Sequence, residues 1–236
     1  MTGLAPIAVA LDAPSLNTAA QWASLVTPHV STVKVGLELY LRYGPEAVAS
    51  IRGASAVAVF LDLKLHDIPA TVAGAVTSVA RLRPALLTVH ATAGPAAIRA
   101  AVDAAPESTT IVGVTVLTSL GAADLAALGV TGSVSDAVRR MAVLAVSAGA
   151  GGLVCSPQEV AAVRAEVGPG ITLITPGVRP AGADANDQAR VATPEQALRA
   201  GADLLVIGRP ITENADPGAA AAAIAASLRR AEVAGR

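Results

Sequence analysis

The chain has 236 residues, of which 53% are hydrophobic and 15% charged, and its formal net charge is −1. This length predicts one domain with a full core, and the near-zero charge with 2% aromatic residues argues against nucleic-acid binding. The sequence has no strongly apolar run of about 18 residues, so no membrane-spanning helix is predicted. Cys155 is the single cysteine, and no secretory signal is visible, so we predict a cytoplasmic location.

Short runs rich in Val, Ile and Leu alternate along the chain with alanine-rich segments of helical length. The runs predict strands near 6–11, 32–37, 57–64, 86–91, 110–116, 152–155, 171–175 and 203–207. The segments between them predict helices near 15–26, 38–51, 70–82, 95–104, 134–148, 157–167, 194–200 and 217–232. This order predicts an α/β fold, a single-domain (β/α)₈ TIM barrel over 1–236. The alternative is a doubly wound open sheet, but no Gly-x-Gly-x-x-Gly follows the first strand.

The connection after the seventh predicted strand is unusual. Residues 177–190 are too polar and too numerous for an ordinary strand-to-helix turn. We therefore predict that this segment is a lid over a binding site.

The third predicted strand carries charge on an apolar background. Val57, Val59 and Leu61 alternate with other residues, as in a buried strand. Asp62 and Lys64 share the opposite phase, so both side chains should point to the same side of the strand. Such charges are costly on an apolar segment unless they pair or do chemistry, and a purely structural ion pair remains an alternative.

Polar residues also follow or end most of the other predicted strands. They are Asp12, His90, Thr92, Thr118, Ser119, Arg179, Gln188 and Arg209, which follows Gly208. Lys34 lies within the second predicted strand. Functional groups of a (β/α)₈ barrel gather at the carboxyl ends of its strands, so these positions predict one shared site.

Three of these positions carry a further interpretation. Gly208 and Arg209 after the eighth strand indicate a phosphate site, because glycine permits close backbone approach and arginine pairs with phosphate. A Gly-Arg pair alone is a weak signal, however. Asp12 precedes Ala-Pro-Ser and is equally suited to cap the first helix.

No metal is predicted, because His66 and His90 lack a spaced set of further ligands.

Seven segments of the chain, in this order, closely resemble motifs of the orotidine 5′-phosphate decarboxylase family. The resemblance rests on Ile7–Asp12, Lys34–Gly36, Asp62–Val72, Thr115–Ser119, Thr175–Pro180, Asp187–Gln188 and Val206–Pro210. The most specific of them reads Asp-x-Lys-x-x-Asp-Ile-x-x-Thr-Val. Leu65 and Ala70 stand where bacterial members often have Phe and Asn, and neither position is catalytic in the family.

The resemblance implies cofactor-free decarboxylation of orotidine 5′-phosphate to uridine 5′-phosphate (UMP), the last step of UMP biosynthesis. It implies that Lys64 protonates pyrimidine C6 and that Asp62 faces the departing carboxylate. Lys34 and Asp67 complete an alternating Lys/Asp network. Asp67 and Thr71 would reach the neighbouring subunit's site in a homodimer. The other implied contacts are Asp12 and Lys34 to the ribose, Thr118 and Ser119 to the pyrimidine, and Arg179, Gln188, Gly208 and Arg209 to the phosphate.

Two other functions compete with this one. Sugar-phosphate lyases such as 3-keto-L-gulonate-6-phosphate decarboxylase share Asp-x-Lys-x-x-Asp but use magnesium. They tend to have Glu at the position of Lys34, and they lack the Ile-x-x-Thr-Val continuation. The second rival is a catalytically inactive phosphate-binding barrel, and the joint presence of Lys34, Asp62, Lys64 and Asp67 argues against it.

Overall fold

The computed structural model describes residues 3–180 and 192–234, and these contain a closed barrel of eight parallel strands. Each strand pairs with the next one along the chain, and β8 closes the barrel by pairing with β1. The predicted (β/α)₈ TIM barrel is confirmed, and the open sheet is excluded. The strands are β1 (Ala5–Ala10), β2 (Val30–Gly36), β3 (Ala58–Leu65), β4 (Leu86–His90), β5 (Thr110–Val114), β6 (Gly152–Val154), β7 (Thr172–Thr175) and β8 (Leu204–Ile207).

Helices connect the strands and pack against the outside of the sheet. They are α1 (Leu16–Val26), α2 (Leu37–Tyr43), α3 (Pro45–Ala54), α4 (Pro69–Ala80), α5 (Pro95–Ala104), α6 (Ala122–Ala127), α7 (Val134–Ser147), α8 (Val160–Val167), α9 (Pro194–Arg199), α10 (Arg209–Thr212) and α11 (Pro217–Ala234). Within the described ranges, none of these helices has both the length and the apolar character needed to cross a bilayer.

The helices differ from the predictions in four places. The predicted helix 38–51 is two helices, because Gly44 has φ +59° and Pro45 begins α3. That backbone conformation suits only glycine, and proline cannot continue the preceding helix. The short helices α6 and α10 were not predicted, and α8 begins at Val160 instead of near 157.

The inside of the barrel is apolar at its centre and charged towards the carboxyl ends of the strands. Phe60, the only phenylalanine of the chain, packs there with Ala8, Val112, Ile174 and Leu204. Lys34 is aligned with Phe60 between β2 and β3, and Asp62 lies two residues further along β3. The charged side chains of Lys34 and Asp62 therefore lie next to the apolar centre of the barrel.

The end of β3 departs from regular strand geometry. Its pairing with β4 shifts register between Leu61 and Leu65, and Lys64 has φ +49°. Leu63 and Leu65 continue the alternation of Val57, Val59 and Leu61 in the sequence but are only half-buried, so the fully buried part of this face ends at Leu61. The side chains of Asp62 and Lys64 nevertheless meet, as their shared phase predicts.

Candidate active site

A cavity of about 520 Å³ opens at the carboxyl ends of the strands. This is the end of a (β/α)₈ barrel at which functional sites form. Many of the predicted site residues line the cavity, namely Asp12, Lys34, Asp62, Lys64, Thr118, Arg179, Gly208 and Arg209. The fold thus brings together residues from strand ends that are far apart in the sequence.

Two ammonium groups share one carboxylate oxygen on the floor of the cavity. Lys64 Nζ donates a hydrogen bond to Asp62 Oδ2 at 2.8 Å, and Lys34 Nζ lies 3.4 Å from the same oxygen. Burial alone would raise the pKa of Asp62, but the charges of Lys34 and Lys64 outweigh it and lower that pKa. Asp62 is therefore a carboxylate at neutral pH, held between two cations.

Lys34 and Lys64 are the only lysines in the chain. The other basic residues are arginines and three histidines. Arginine keeps its proton at any ordinary pH, whereas a lysine ammonium can give its proton away. The use of lysine at these two positions alone fits a site where a proton is transferred. This count is a sequence signal that strengthens the assignment of Lys34 and Lys64.

Asp12 extends the cluster on the side of β1. Its Oδ1 lies 3.7 Å from Lys34 Nζ, and its side chain is half exposed in the cavity. Ser15, not Asp12, caps α1, because the Ser15 hydroxyl accepts from the backbone N–H of Thr18 at 3.2 Å. The capping alternative for Asp12 is therefore wrong.

Gly36 has a role in the site that the sequence motif did not reveal. A Cβ atom at this position would lie 2.8 Å from both Asp12 Oδ1 and Lys34 Nζ. Such a distance is too short for any real side chain. Gly36 therefore makes room for the charged groups.

Two arginines at the ends of β7 and β8 add positive charge to the cavity. Arg179 after β7 and Arg209 after β8 both line it. Arg179 is buried, its Nη1 donates to the Val178 carbonyl at 2.9 Å, and its Nε has no hydrogen-bond partner among the described residues. Burial and the charge of Arg209 lower the pKa of Arg179, while Glu213 opposes that effect. An anion placed between the two guanidinium groups would relieve their repulsion.

Five predicted residues within the described part of the chain do not line the cavity, namely Asp67, Thr71, His90, Thr92 and Ser119. Asp67 and Thr71 are exposed beyond β3, and the Asp67 carboxylate accepts from the backbone N–H of Ile68 at 2.6 Å. Ser119 is exposed beside Thr118. Gln188 and most of the predicted lid 177–190 lie outside the described residues. At the near end of that segment, the Arg179 N–H donates to the Ala192 carbonyl at 3.0 Å.

The sequence analysis missed several residues of the cavity wall. Glu213 lies at the end of α10, a helix that was not predicted. Phe60, Val154 and Cys155 supply apolar surface and look like ordinary core residues in the sequence. Burial, followed by the charge of Glu159, raises the pKa of Cys155 to about 12, so its thiol stays protonated.

No group of three or more His, Cys, Asp or Glu side chains in residues 3–180 and 192–234 is arranged to hold a metal ion. The cavity instead combines a buried carboxylate, two ammonium groups and two guanidinium groups. This arrangement is suited to a substrate with more than one negative charge. Both ammonium groups can also donate a proton.

Known proteins match this chain over almost its whole length. The model of the "Orotidine 5′-phosphate decarboxylase / HUMPS family" matches residues 5–224. The orotidine 5′-phosphate decarboxylase of Thermobifida fusca (strain YX) is 72% identical, and the match covers 96% of this chain and 97% of that protein. The protein of the same name from Frankia casuarinae is 56% identical, with 97% and 89% covered.

Solved structures share the fold as well. The crystal structure of orotidine 5′-phosphate decarboxylase from Lactobacillus acidophilus has a TM-score of 0.81 at 32% identity, covering 95% of this chain and 99% of that one. An uncharacterized conserved protein from Geobacillus kaustophilus also has a TM-score of 0.81, at 33% identity, with 94% and 100% covered.

Proposed function

The chain belongs to the orotidine 5′-phosphate decarboxylase / HUMPS family, and from this premise we propose that it decarboxylates orotidine 5′-phosphate to UMP and CO₂ without a cofactor. One observation carries the proposal. The Lys34–Asp62–Lys64 cluster and the Arg179–Arg209 pair face the same cavity. A cavity that holds both groups suits a substrate that carries a carboxylate and a phosphate.

The chemical step breaks the bond between pyrimidine C6 and the carboxylate carbon. CO₂ leaves, and the electron pair of that bond stays on C6 as a carbanion. The Lys64 ammonium stabilises this negative charge and then transfers a proton from Nζ to C6, which gives UMP. The neutral Lys64 amine regains a proton from solvent before the next turnover. Preorganised charge is the main source of catalysis in such a step.

Asp62 has two effects on this step. Its hydrogen bond to Lys64 Nζ, at 2.8 Å, keeps the ammonium charged and oriented. Its own negative charge repels the substrate carboxylate, and that repulsion ends when neutral CO₂ forms. Both effects favour the transition state over the bound substrate.

The phosphate contributes binding energy at a distance from the reacting carbon. Arg179, Gly208 and Arg209 hold it in this proposal, and Gln188 joins them from the lid segment 177–190. Contacts that form only when the lid is closed lower the barrier of the chemical step. Asp12 and Lys34 hold the ribose, while Thr118 and Ser119 face the pyrimidine.

We further propose that the site is completed by a second copy of the chain in a homodimer. Asp67 and Thr71 are exposed and do not line the cavity of their own chain, so a neighbouring subunit can contact them. Two large apolar side chains are also exposed: Ile68, next to Asp67 in the sequence, is 66% exposed, and Leu41 on α2 is 78% exposed. Apolar side chains at this level of exposure favour burial against a partner.

A direct assay tests the proposed reaction. Purified protein treated with EDTA should consume orotidine 5′-phosphate, followed by its ultraviolet absorbance, and release one CO₂ per UMP formed. Activity that is lost with EDTA and restored by Mg²⁺ would instead favour a sugar-phosphate lyase. Absence of turnover with and without Mg²⁺ would favour an inactive phosphate-binding barrel.

A further inference from the structure

Thr88 on β4 is fully buried, and its hydroxyl connects two residues of the charge cluster. The hydroxyl oxygen accepts a hydrogen bond from the backbone N–H of Lys64 at 2.8 Å. The hydroxyl proton is donated to Asp62 Oδ1 at 3.0 Å. Thr88 is not part of the cavity wall. Any effect it has on chemistry must therefore pass through Asp62 and Lys64.

The position of Thr88 is explained by the irregular pairing of β3 with β4. Leu61 pairs with Leu87, and the next pair is Leu65 with Val89. Three residues of β3 thus lie opposite one residue of β4, and that one residue is Thr88. A bulge of this kind interrupts the ladder and re-aims the side chains of the longer strand.

The Lys64 backbone needs a partner at this bulge. Its φ of +49° lies in the left-handed region, which non-glycine residues rarely adopt. The Thr88 side chain accepts the Lys64 N–H in place of a ladder carbonyl. The hydroxyl therefore supports a backbone conformation that is unfavourable by itself and that sets the direction of the Lys64 side chain.

The same hydroxyl determines which Asp62 oxygen faces the lysines. Oδ1 is occupied by Thr88, whereas Oδ2 lies 2.8 Å from Lys64 Nζ and 3.4 Å from Lys34 Nζ. Without the Thr88 bond, the carboxylate would be free to rotate about its last torsion angle. It would then no longer be held in one orientation toward both cations.

We propose that Thr88 is a positioning residue, which fixes the Asp62 carboxylate and the Lys64 backbone so that the Lys64 ammonium is aimed into the cavity. The structural part of this proposal depends only on the fold. Its catalytic consequence rests on the proposed decarboxylation. The two parts call for two separate measurements.

Amide exchange tests the structural part without any substrate. Because the chain has two lysines, protein labelled with ¹⁵N-lysine gives two backbone amide signals, which the Lys34→Arg variant assigns. Thr88→Val keeps the β-branched shape but removes the hydroxyl. It should speed hydrogen exchange at Lys64 by about tenfold or more, as expected for a lost hydrogen bond of about 1.4 kcal/mol. Exchange at Lys34, inside β2, should not change.

Two further variants control for general destabilisation. Thr88→Ser keeps the hydroxyl and should restore slow exchange at Lys64. Thr109→Val removes another buried threonine hydroxyl, which donates to the Pro84 carbonyl at 2.7 Å beside the amino end of β5. It should leave exchange at Lys64 unchanged. If Thr88→Val does not fold, Thr88→Ala supports the same comparison.

Steady-state kinetics test the catalytic part. Thr88→Val should lower kcat at least about tenfold with little change in KM, because the phosphate contacts are intact while the proton donor is misaligned. Thr88→Ser should recover most of kcat. Equal Lys64 exchange in wild type and Thr88→Val, or no rescue of kcat by serine, would overturn the proposal. A wild-type protein that does not decarboxylate would refute the proposed function, and the exchange experiment would still decide whether Thr88 holds the bulge.

Discussion

At the scale of single residues, Lys64 has the most demanding role, since the same ammonium is asked to stabilise a carbanion and to protonate it. We predict that Lys64→Ala lowers kcat by at least about 10²–10⁴-fold, the usual contribution of a general acid. Circular dichroism should show an intact barrel, because Lys64 is partly exposed and lies outside the apolar core. Stopped or continuous absorbance assays give the turnover.

Lys64→Arg is the matched control for this variant. It keeps a positive charge beside Asp62 but cannot release a proton at neutral pH. We expect it to be nearly as inactive as Lys64→Ala if proton transfer matters. A variant of either kind within about tenfold of wild type would mean that another group protonates C6.

At the scale of elements, the start of α10 directly after β8, where Arg209 lies, gives the simplest test of the phosphate assignment. Arg209→Ala removes a charge-assisted contact worth about 1.5–3 kcal/mol, so kcat/KM for orotidine 5′-phosphate should fall at least about tenfold. The nucleoside orotidine has no phosphate, so its slow turnover should hardly change. Equal losses on both substrates would place the effect of Arg209 on the fold or on the pyrimidine end.

The break between α2 and α3 allows a test of backbone geometry alone. Gly44 has φ +59° and ψ −142° with open space around its Cβ position. Gly44→Ala should therefore lower the free energy of unfolding by about 1–3 kcal/mol through backbone strain. Gly53→Ala, inside α3 and also facing open space, should instead raise it by about 0.5–1 kcal/mol. Urea unfolding measures the free energy of unfolding of both variants. A change of the same sign in the two variants would contradict this explanation of the break between α2 and α3.

At the scale of the whole molecule, the proposed homodimer predicts complementation between two inactive variants. Lys64→Ala and Asp67→Ala subunits, mixed and allowed to exchange, form heterodimers in which one of the two sites has both wild-type groups. Random pairing would restore about a quarter of the wild-type sites. Activity that stays absent, although labelled subunits demonstrably exchange, would mean that each site is built from one chain.

Much of the fold was predictable because its signals are local. Strand and helix periodicity shows in the sequence, and all eight predicted strands were found in the described residues. The break at Gly44 and the short helices α6 and α10 were missed, since they depend on one residue's conformation or on single turns. The lid, the dimer and the cytoplasmic location stay predictions.

By itself, the sequence determined that Asp62 and Lys64 share one side of a strand and that polar residues end most strands. Only the tertiary structure decided that Lys34, Asp62 and Lys64 meet at one oxygen and that Arg179 and Arg209 line the same cavity. It also decided that Thr88 fills the bulge in β3. The physical reason is that such contacts depend on barrel closure and on register between strands. Both are set by packing between residues far apart in the chain, which no local pattern encodes.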